Sequence, residues 1–349
     1  MSDEINQPRR RFFGTAAMTL AAAQLGGIMS AKAQPDGTGS SMPAAKRGGH
    51  TSFGPLKQIN AGVLNVGYAE AGPANGPVVI LLHGWPYDIH SFVDVAPLLA
   101  SAGYRVIIPH ARGYGTTRFL ASDAFRNAQQ SVVARDTIAL MDALKIEKAI
   151  LAGFDWGGRN ACIASVLQPE RVKALISVSG YLVTNINTVA IPLKPADEHD
   201  WWYQFYFATE RGRAGYDKYR REFARFIWEL ASPKWNFDDA TFNRSAASFD
   251  NPDHVDIVIH NYRWRLGLAA GDPQYDDIEK RLSAGPAITV PTITLEGDAN
   301  GAPHLAPSLY RGKFSGKYAH QTVTGGVGHN LPQEAPQAFA DAVIAVDKL

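Results

Sequence analysis

The sequence predicts an α/β fold, a mostly parallel sheet flanked by helices, with one long helical insertion. Apolar runs of five to seven residues alternate with segments of helical periodicity in the first half, and this alternation returns near the end of the chain. Runs that are apolar throughout are typical of strands buried on both faces of a parallel sheet. Between these regions, residues 181–285 show helical patterns, no buried strand and five of the seven tryptophans.

Strands and helices are predicted to alternate on both sides of the insertion. Residues 62–68 alternate between apolar and polar side chains, which predicts one half of a hairpin. Because successive buried strands are joined by helical segments, the crossover rule predicts parallel neighbours. The predicted strands are 78–82, 104–108, 149–153, 172–178, 288–295 and 320–324, and the predicted helices are 92–102, 132–144, 157–167 and 336–346.

The first 33 residues are predicted to be an export signal rather than part of the fold. Arg9, Arg10 and Arg11 precede Phe12, a weakly apolar stretch follows, and residues 31–33 form a small-residue cleavage pattern. This combination resembles a bacterial twin-arginine signal and implies a periplasmic or secreted protein. An amphipathic or unordered tail is the alternative. The stretch is too short and too rich in Ala and Gly for a stable membrane span.

The rest of the chain is predicted to divide into a tether, a core in two parts and a cap. Residues 34–55 are rich in Gly, Ser, Pro and Ala and lack periodicity, which predicts a flexible tether. The α/β core is expected to occupy residues 56–180 and 286–349, and the helical cap residues 181–285.

Composition excludes several classes of function. The 34 Lys+Arg and 33 Asp+Glu nearly balance, whereas nucleic-acid-binding proteins usually carry a basic excess. Cys162 is the single cysteine, so neither an internal disulfide nor a cysteine-rich metal site can form. Because the sequence also lacks a Gly-rich phosphate loop and a cluster of His and Cys, we expect neither a cofactor nor a metal.

The most informative motif is Gly153-Phe154-Asp155-Trp156-Gly157-Gly158, between a predicted strand and a predicted helix. A Gly-x-nucleophile-x-Gly pattern in that context is typical of a nucleophile elbow. A carboxylate at its centre is suited to attack a saturated carbon and form an alkyl ester, because the anhydride from attack on an acyl group would be too reactive. The alternative is that Asp155 only caps the helix.

The elbow and the motif His83-Gly84-Trp85-Pro86 together resemble α/β-hydrolase-fold enzymes of the epoxide hydrolase and haloalkane dehalogenase group. The resemblance extends from about residue 56 to the end of the chain. It implies an α/β-hydrolase fold with the helical block as an inserted cap. It also implies that Asp155 is the nucleophile, and that water hydrolyses the resulting ester.

The resemblance also assigns the residues that would hydrolyse the ester. His329, in a Gly-rich loop before the last helix, takes the place of the general base. Asp298, just after a predicted strand, takes the place of the acid that orients the histidine, and Glu296 is the alternative. The backbone N–H groups of Trp85 and Trp156 are expected to form the oxyanion hole.

The leaving group decides between the two activities. An opened epoxide leaves an alkoxide that needs a proton donor, and a phenol is suited to that task. The cap segments containing Tyr203 and Tyr262 resemble those that carry the ring-opening tyrosines of epoxide hydrolases, and Trp202 and Gln204 are expected to line the substrate pocket. A halide would instead bind N–H donors, such as the indole of Trp201 or Trp202.

The sequence therefore predicts an enzyme that hydrolyses a small apolar epoxide to a diol with water. Trp85 occupies the position where many dehalogenases use an asparagine as a halide donor, which favours the epoxide. A hydrolytic dehalogenase with the same triad is the first alternative. The second is a ligand-binding protein that retains the fold without turnover.

Overall fold

The computed structural model describes residues 40–43 and 52–349. The predicted export signal lies outside these residues. The described part of the chain contains ten strands in one sheet, in the order β1-β10-β9-β8-β7-β4-β5-β3-β2, with β6 beside β3. The strands are β1 (Ser40–Pro43), β2 (Lys57–Ala61), β3 (Leu64–Ala71), β4 (Val78–Leu82), β5 (Arg105–Pro109), β6 (Arg118–Phe119), β7 (Ala149–Gly153), β8 (Val172–Val178), β9 (Thr292–Gly297) and β10 (Tyr318–Thr324).

In the spatial order of the sheet, the seven strands from β1 at one edge to β5 are parallel, and the strands beyond β5 are antiparallel. Strands β1, β10, β9, β8, β7, β4 and β5 pair in parallel. Strand β3 runs antiparallel to β5, β2 and β6. All five residues of β7 are buried, as the continuous apolar run predicts. The predicted fold class is therefore confirmed.

One part of the tether prediction and one strand prediction differ from the structure. Residues 40–43, within the predicted tether, form edge strand β1 beside β10. The pairing uses backbone groups that an edge strand leaves open, so side-chain periodicity does not reveal it. The strand predicted over 288–295 begins only at Thr292, because Pro291 lacks an amide for continued pairing. Ile288 forms an isolated bridge with Phe314 instead.

Helices cover both faces of the sheet. In β4, Val79 and Leu81 belong to one buried cluster and Ile80 and Leu82 to the other, because alternate side chains point to opposite faces. Helices α1 and α12 pack on the first face, and α2 and α3 on the second. The core helices are α1 (Val95–Ser101), α2 (Gln130–Ala143), α3 (Asp155–Leu167), α10 (Pro307–Tyr310), α11 (Leu331–Glu334) and α12 (Pro336–Val346).

Six helices lie between β8 and β9, in the region predicted to be the cap. They are α4 (Pro195–Asp200), α5 (Trp202–Ala208), α6 (Glu210–Ala231), α7 (Asp239–Ala246), α8 (His254–Arg265) and α9 (Asp276–Ser283). Aromatic rings pack where α5, α6 and α8 meet, with Phe207 in contact with Tyr216 and Tyr262. No helix in residues 40–43 and 52–349 is long and apolar enough to cross a membrane.

Candidate active site

Asp155 lies in a strained turn at the carboxyl edge of the sheet. It follows β7 by two residues, begins α3, and has a φ of 52°, in the left-handed region that non-glycine residues rarely adopt. A Cβ at Gly157 would collide with the carbonyl oxygen of Leu82, and one at Gly84 would collide with Asp155 itself. The glycines therefore allow the close approach that presents the Asp155 carboxylate above the strand ends.

The two oxygens of the Asp155 carboxylate have different partners. Oδ1 accepts a hydrogen bond of 2.8 Å from the backbone N–H of Trp85. Oδ2 lies 3.4 Å from Nε2 of His329. Burial alone would raise the pKa of Asp155, but His329 and the amides of Trp156 and Trp85 outweigh it and lower the pKa below its usual value. The carboxylate is therefore ionised at neutral pH.

The loop that carries His329 is fixed through its backbone. The N–H of His329 donates to Oγ of Ser232 at 3.0 Å and to the carbonyl oxygen of Ala231 at 3.2 Å. The buried carboxylate of Glu334 accepts hydrogen bonds from the amides of Gly328 and Asn330 and from the Ser232 hydroxyl. Hydrogen bonds to the backbone of His329 and of its two neighbours, Gly328 and Asn330, thus position the imidazole.

Asp298 forms neither a hydrogen bond nor an ion pair with His329, so the predicted orienting acid is not joined to the histidine. Its side chain is exposed, and its two oxygens accept hydrogen bonds from the amides of Gly325, Gly326 and Val327 at 2.9–3.1 Å. The carboxylate thereby stabilises the start of the loop that leads to His329. Its position after β9 was predicted correctly, but the loop amides hold its oxygens.

Glu296, the alternative acid, has no hydrogen bond to His329 either. Its Oε1 accepts a hydrogen bond of 2.7 Å from Asn300, and its Oε2 is buried without a partner among the residues that the structure describes. Within the described residues, Nδ1 of His329 is also buried without a hydrogen-bond partner. The structure thus places His329 beside the nucleophile, and it joins neither candidate acid to His329 by a hydrogen bond.

Tyr203 and Tyr262 from the cap line the same cavity as Asp155 and His329. Their ring centroids are 5.4 Å apart, and the ring of Trp85 lies 5.4 Å from the first and 5.1 Å from the second. Burial raises the pKa of both phenols above its ordinary value. Both hydroxyls therefore stay protonated at neutral pH and can donate hydrogen bonds into the cavity.

The two residues predicted to line the substrate pocket have different positions. Gln204 lines a larger neighbouring cavity. Trp202 lines neither cavity and packs instead against Tyr206 and Phe223. Trp201, which directly precedes helix α5, lines both cavities in its place.

The reaction cavity adjoins the larger one. The space beside Asp155 has a volume of about 60 Å³, and the neighbouring cavity about 530 Å³. No group of metal-ligating side chains occurs within residues 40–43 and 52–349. The residues common to both cavities are Tyr181, Val183, Thr184, Trp201, Arg265 and Leu305.

Sequence reasoning missed four residues around the site. Ser232 and Glu334 hold the His329 loop, and Arg159 and Arg265 line the reaction cavity. The position of Arg159, directly after the two glycines of the elbow, was a usable signal, because a cation is unusual in a helix that packs beneath a sheet. The other three depend on contacts between distant segments, which a single sequence does not reveal.

An aspartate on an elbow after a parallel strand, faced by a loop histidine, defines a hydrolase built on an α/β sheet. Comparisons with known proteins agree. Residues 77–227 match the family model described as the alpha/beta hydrolase fold. A crystal structure from Klebsiella pneumoniae subsp. pneumoniae, assigned provisionally as an epoxide hydrolase, is 59% identical to this chain. The match covers 84% of this chain and 97% of the Klebsiella chain, with a TM-score of 0.84.

Two further relatives extend the comparison. An epoxide hydrolase from Caballeronia sordidicola is 29% identical over 295 residues, which are 77% of this chain and 87% of the relative. An AB hydrolase superfamily protein from Bacillus subtilis is 32% identical over 234 residues, 65% of this chain and 79% of the relative. The chain belongs to the α/β-hydrolase superfamily.

Proposed function

We propose that this protein hydrolyses epoxides to vicinal diols through an alkyl ester on Asp155. The observation that carries the proposal is that two protonated phenols, Tyr203 and Tyr262, line one cavity with an ionised carboxylate on a nucleophile elbow. Nucleophile and proton donors are the two groups that epoxide opening requires. The epoxide hydrolase names of the relatives from Klebsiella and Caballeronia support the same reaction.

In the first step Asp155 attacks a ring carbon of the epoxide. Oδ1 is held by the Trp85 amide, so Oδ2 is the oxygen that bonds to carbon. As the ring C–O bond breaks, the epoxide oxygen takes a proton from one of the two phenols, Tyr203 or Tyr262, while the other donates a hydrogen bond to it. The phenol that gives up its proton becomes a tyrosinate. The product is a hydroxyalkyl ester of Asp155.

In the second step water hydrolyses this ester. His329 removes a proton from a water molecule, which attacks the carbonyl carbon of the Asp155 ester. The negative charge that develops on Oδ1 is stabilised by the amides of Trp85 and Trp156, and loss of one such donor typically costs ~3 kcal/mol. The ester C–O bond then breaks, and the diol leaves with the proton from His329. Asp155 retains an oxygen from water, and the proton on its new carboxyl group returns to the tyrosinate, which restores the resting enzyme.

Single turnover in ¹⁸O-labelled water tests this route. Enzyme in excess over an epoxide that it converts should give an unlabelled diol in the first turnover and a labelled Asp155 peptide by mass spectrometry. Label that appears first in the diol would instead mean direct attack by water on the epoxide. If a broad epoxide panel gives no diol, and ligands bind without product, the protein is a non-catalytic member of the superfamily.

Hydrolytic dehalogenation is the second candidate, and one observation favours it. Nε1 of Trp156, next to the nucleophile, is buried without a hydrogen-bond partner among the described residues and resembles a halide donor. The indole of Trp85, in contrast, already donates to the hydroxyl of Tyr216 at 2.8 Å. Halide release from a panel of alkyl halides, without diol formation from epoxides, would decide for this candidate.

Export is proposed from the sequence alone. Arg9, Arg10 and Arg11, the weakly apolar stretch after them and the Ala31-Lys32-Ala33 pattern support a twin-arginine signal that is cleaved after Ala33. Expression of the full chain in a bacterium with and without a functional twin-arginine pathway tests this. We expect a periplasmic protein that begins at Gln34. When Arg9 and Arg10 are changed to Lys, the protein should stay in the cytosol. A cytosolic, uncleaved chain in both strains would contradict the proposal.

A further inference from the structure

Three arginine side chains are buried in the described part of the chain, and only one of them has a carboxylate partner there. Arg112, 2% exposed, donates two hydrogen bonds to the carboxylate of Asp136, at 2.6 and 2.7 Å. Arg159 and Arg265 are 7% and 8% exposed, form no ion pair within the described residues, and each has an Nε without a hydrogen-bond partner. Buried cations are normally paired, because an uncompensated charge in a protein interior is costly.

Both unpaired arginines line the cavity that contains the Asp155 carboxylate, and Arg265 also lines the larger cavity next to it. Arg159 donates one hydrogen bond to the hydroxyl of Thr184. The guanidinium carbon of Arg265 lies 5.3 Å from the ring centre of Trp201. These contacts orient the two groups without neutralising either charge.

The charge of Arg265 also destabilises the charged form of Arg159. Burial lowers the pKa of Arg159, and the neighbouring charge of Arg265 lowers it further, whereas Asp155 acts in the opposite direction. One carboxylate thus faces two cations in the resting enzyme. Once Asp155 becomes an ester it is neutral, and both cations then lack compensation. An anionic group on the substrate would supply the missing charge throughout the reaction.

We propose that the substrate is an epoxide that carries a carboxylate, and that Arg159 and Arg265 bind this carboxylate. The inference rests on the proposed epoxide hydrolysis and defines its substrate class. The planar fork of a guanidinium group matches the two oxygens of a carboxylate, and hydrogen bonds between charged groups are about twice as strong as those between neutral ones. The neighbouring cavity, whose mixed lining includes the apolar side chains of Ile191, Phe205 and Leu309, then accommodates the remainder of the molecule.

A matched pair of substrates tests the proposal by turnover. The probes are 3-phenylglycidate and its primary amide, which have the same shape and differ in charge. We expect kcat/KM of the wild-type protein to favour the acid by about tenfold or more, in line with charge-assisted binding. The Arg159→Gln and Arg265→Gln variants should each reduce this acid-to-amide ratio by about tenfold, and the double variant should abolish it.

Arg263→Gln is the control variant. Arg263 lies on the same helix as Arg265, but it pairs with Glu210 and donates to the carbonyl oxygen of Phe207. Its replacement should leave the acid-to-amide ratio unchanged. Circular dichroism and thermal unfolding check that each variant is folded, and the ratio itself is insensitive to loss of active protein. A wild-type protein that prefers the amide, or a double variant that retains the preference for the acid, overturns the proposal.

A binding experiment separates this inference from the proposed reaction. trans-Cinnamate and cinnamamide have the same skeleton without the epoxide, so calorimetry on the Asp155→Asn variant measures recognition alone. We expect cinnamate to bind at least about tenfold more tightly, and Arg159→Gln on this background to remove the difference. Selective cinnamate binding without any diol formation would refute the proposed function and retain the anion site. Diol formation with no preference for the charged probes would support the proposed function and refute the anion site.

Discussion

The two halves of the candidate site are held in place in different ways. At the sheet edge, the Asp155 carboxylate and the His329 loop are fixed by hydrogen bonds to and from the backbone. In the cap, Tyr203 and Tyr262 are fixed by ring packing against each other and against Trp85. In the proposed mechanism the sheet half supplies the nucleophile and the base, and the cap half supplies the proton donors.

Backbone positioning explains why short motifs were sufficient to predict one half. The turn around Asp155 needs a strand, a helix and two glycines in a short stretch, so all of its determinants are local. The cap side chains have no comparable local requirement. Replacement of the nucleophile or the base in the sheet half should have the largest effects on the rate, and replacement of the cap phenols should have smaller ones.

The largest effect is expected for Asp155→Ala. Without the carboxylate no alkyl ester can form, and loss of a nucleophile of this type typically costs several powers of ten in kcat, roughly 10⁴-fold or more. Diol formation under steady-state conditions measures it, with circular dichroism as the check of folding. Full activity in this variant would remove the sheet half from the mechanism.

The next effect is expected for His329→Gln, which should separate the two steps. Ester formation needs only Asp155 and the cap phenols, whereas hydrolysis needs a base and should slow by about 10²–10⁴-fold. Intact-protein mass spectrometry should therefore detect a stable adduct with the mass of the added epoxide. If the variant accumulates no adduct and both steps slow equally, His329 also serves the first step.

Smaller effects are expected for Tyr203→Phe and Tyr262→Phe. Each removes one of two proton donors, so the rate of ester formation should fall roughly 10–100-fold in either variant and further in the double variant. Stopped-flow measurement of the single-turnover rate checks this. Tyr206→Phe serves as the control, because Tyr206 packs on Phe223 and lines neither cavity. Undiminished epoxide opening in the double variant would exclude the phenols as donors.

A still smaller effect is expected for Asp298→Asn. Since its carboxylate binds the amides of residues 325–327 and not His329, an uncharged isostere should retain part of these bonds and reduce kcat by less than about tenfold, with some loss of thermal stability. An orienting acid would behave differently, because removal of such a charge typically costs about 10⁴-fold in kcat. Steady-state kinetics together with thermal unfolding distinguish the two outcomes.

No effect of pH on ester formation is expected up to about pH 10. Burial raises the pKa of Tyr203 and Tyr262 above the usual value of about 10, so both phenols remain proton donors until the pH exceeds that value. With an uncharged epoxide, which does not require the charge of Arg159, the single-turnover rate should therefore stay constant between pH 7 and 10 while tryptophan fluorescence reports that the protein is folded. A decline with a midpoint below pH 10 would mean that the donors are not these buried groups.

Most of the fold and half of the site could be predicted from the sequence. Buried strands such as β7 have a continuous apolar pattern, and Asp155 and His329 lie at positions that the fold class fixes relative to strand ends. Asp298 shows the limit of this reasoning. Its place after β9 was evident, but the direction of its side chain depends on the conformation of residues 325–327, which three amide hydrogen bonds determine.

The cap shows the same limit for another reason. Trp201 and Trp202 are adjacent in sequence, and only the start of helix α5 at Trp202 decides which indole lines the cavities. The position of Arg265 could not be predicted either. It lies on a cap helix and lines the same cavity as Arg159, which lies on the helix after the nucleophile. Local periodicity does not predict which side chains from distant segments line the same cavity. The balance of charge in the cavity is therefore known only from the structure.

The position of Trp85 has a practical consequence. Its amide binds the Asp155 carboxylate, its indole N–H binds the hydroxyl of Tyr216, and its ring touches both cap tyrosines. We expect the fluorescence of Trp85 to respond to the charge on Asp155 and to ligands that move the rings of Tyr203 and Tyr262. In a variant whose other six tryptophans are replaced by Phe, emission from Trp85 would follow ester formation and product release as separate phases, without any label on the substrate.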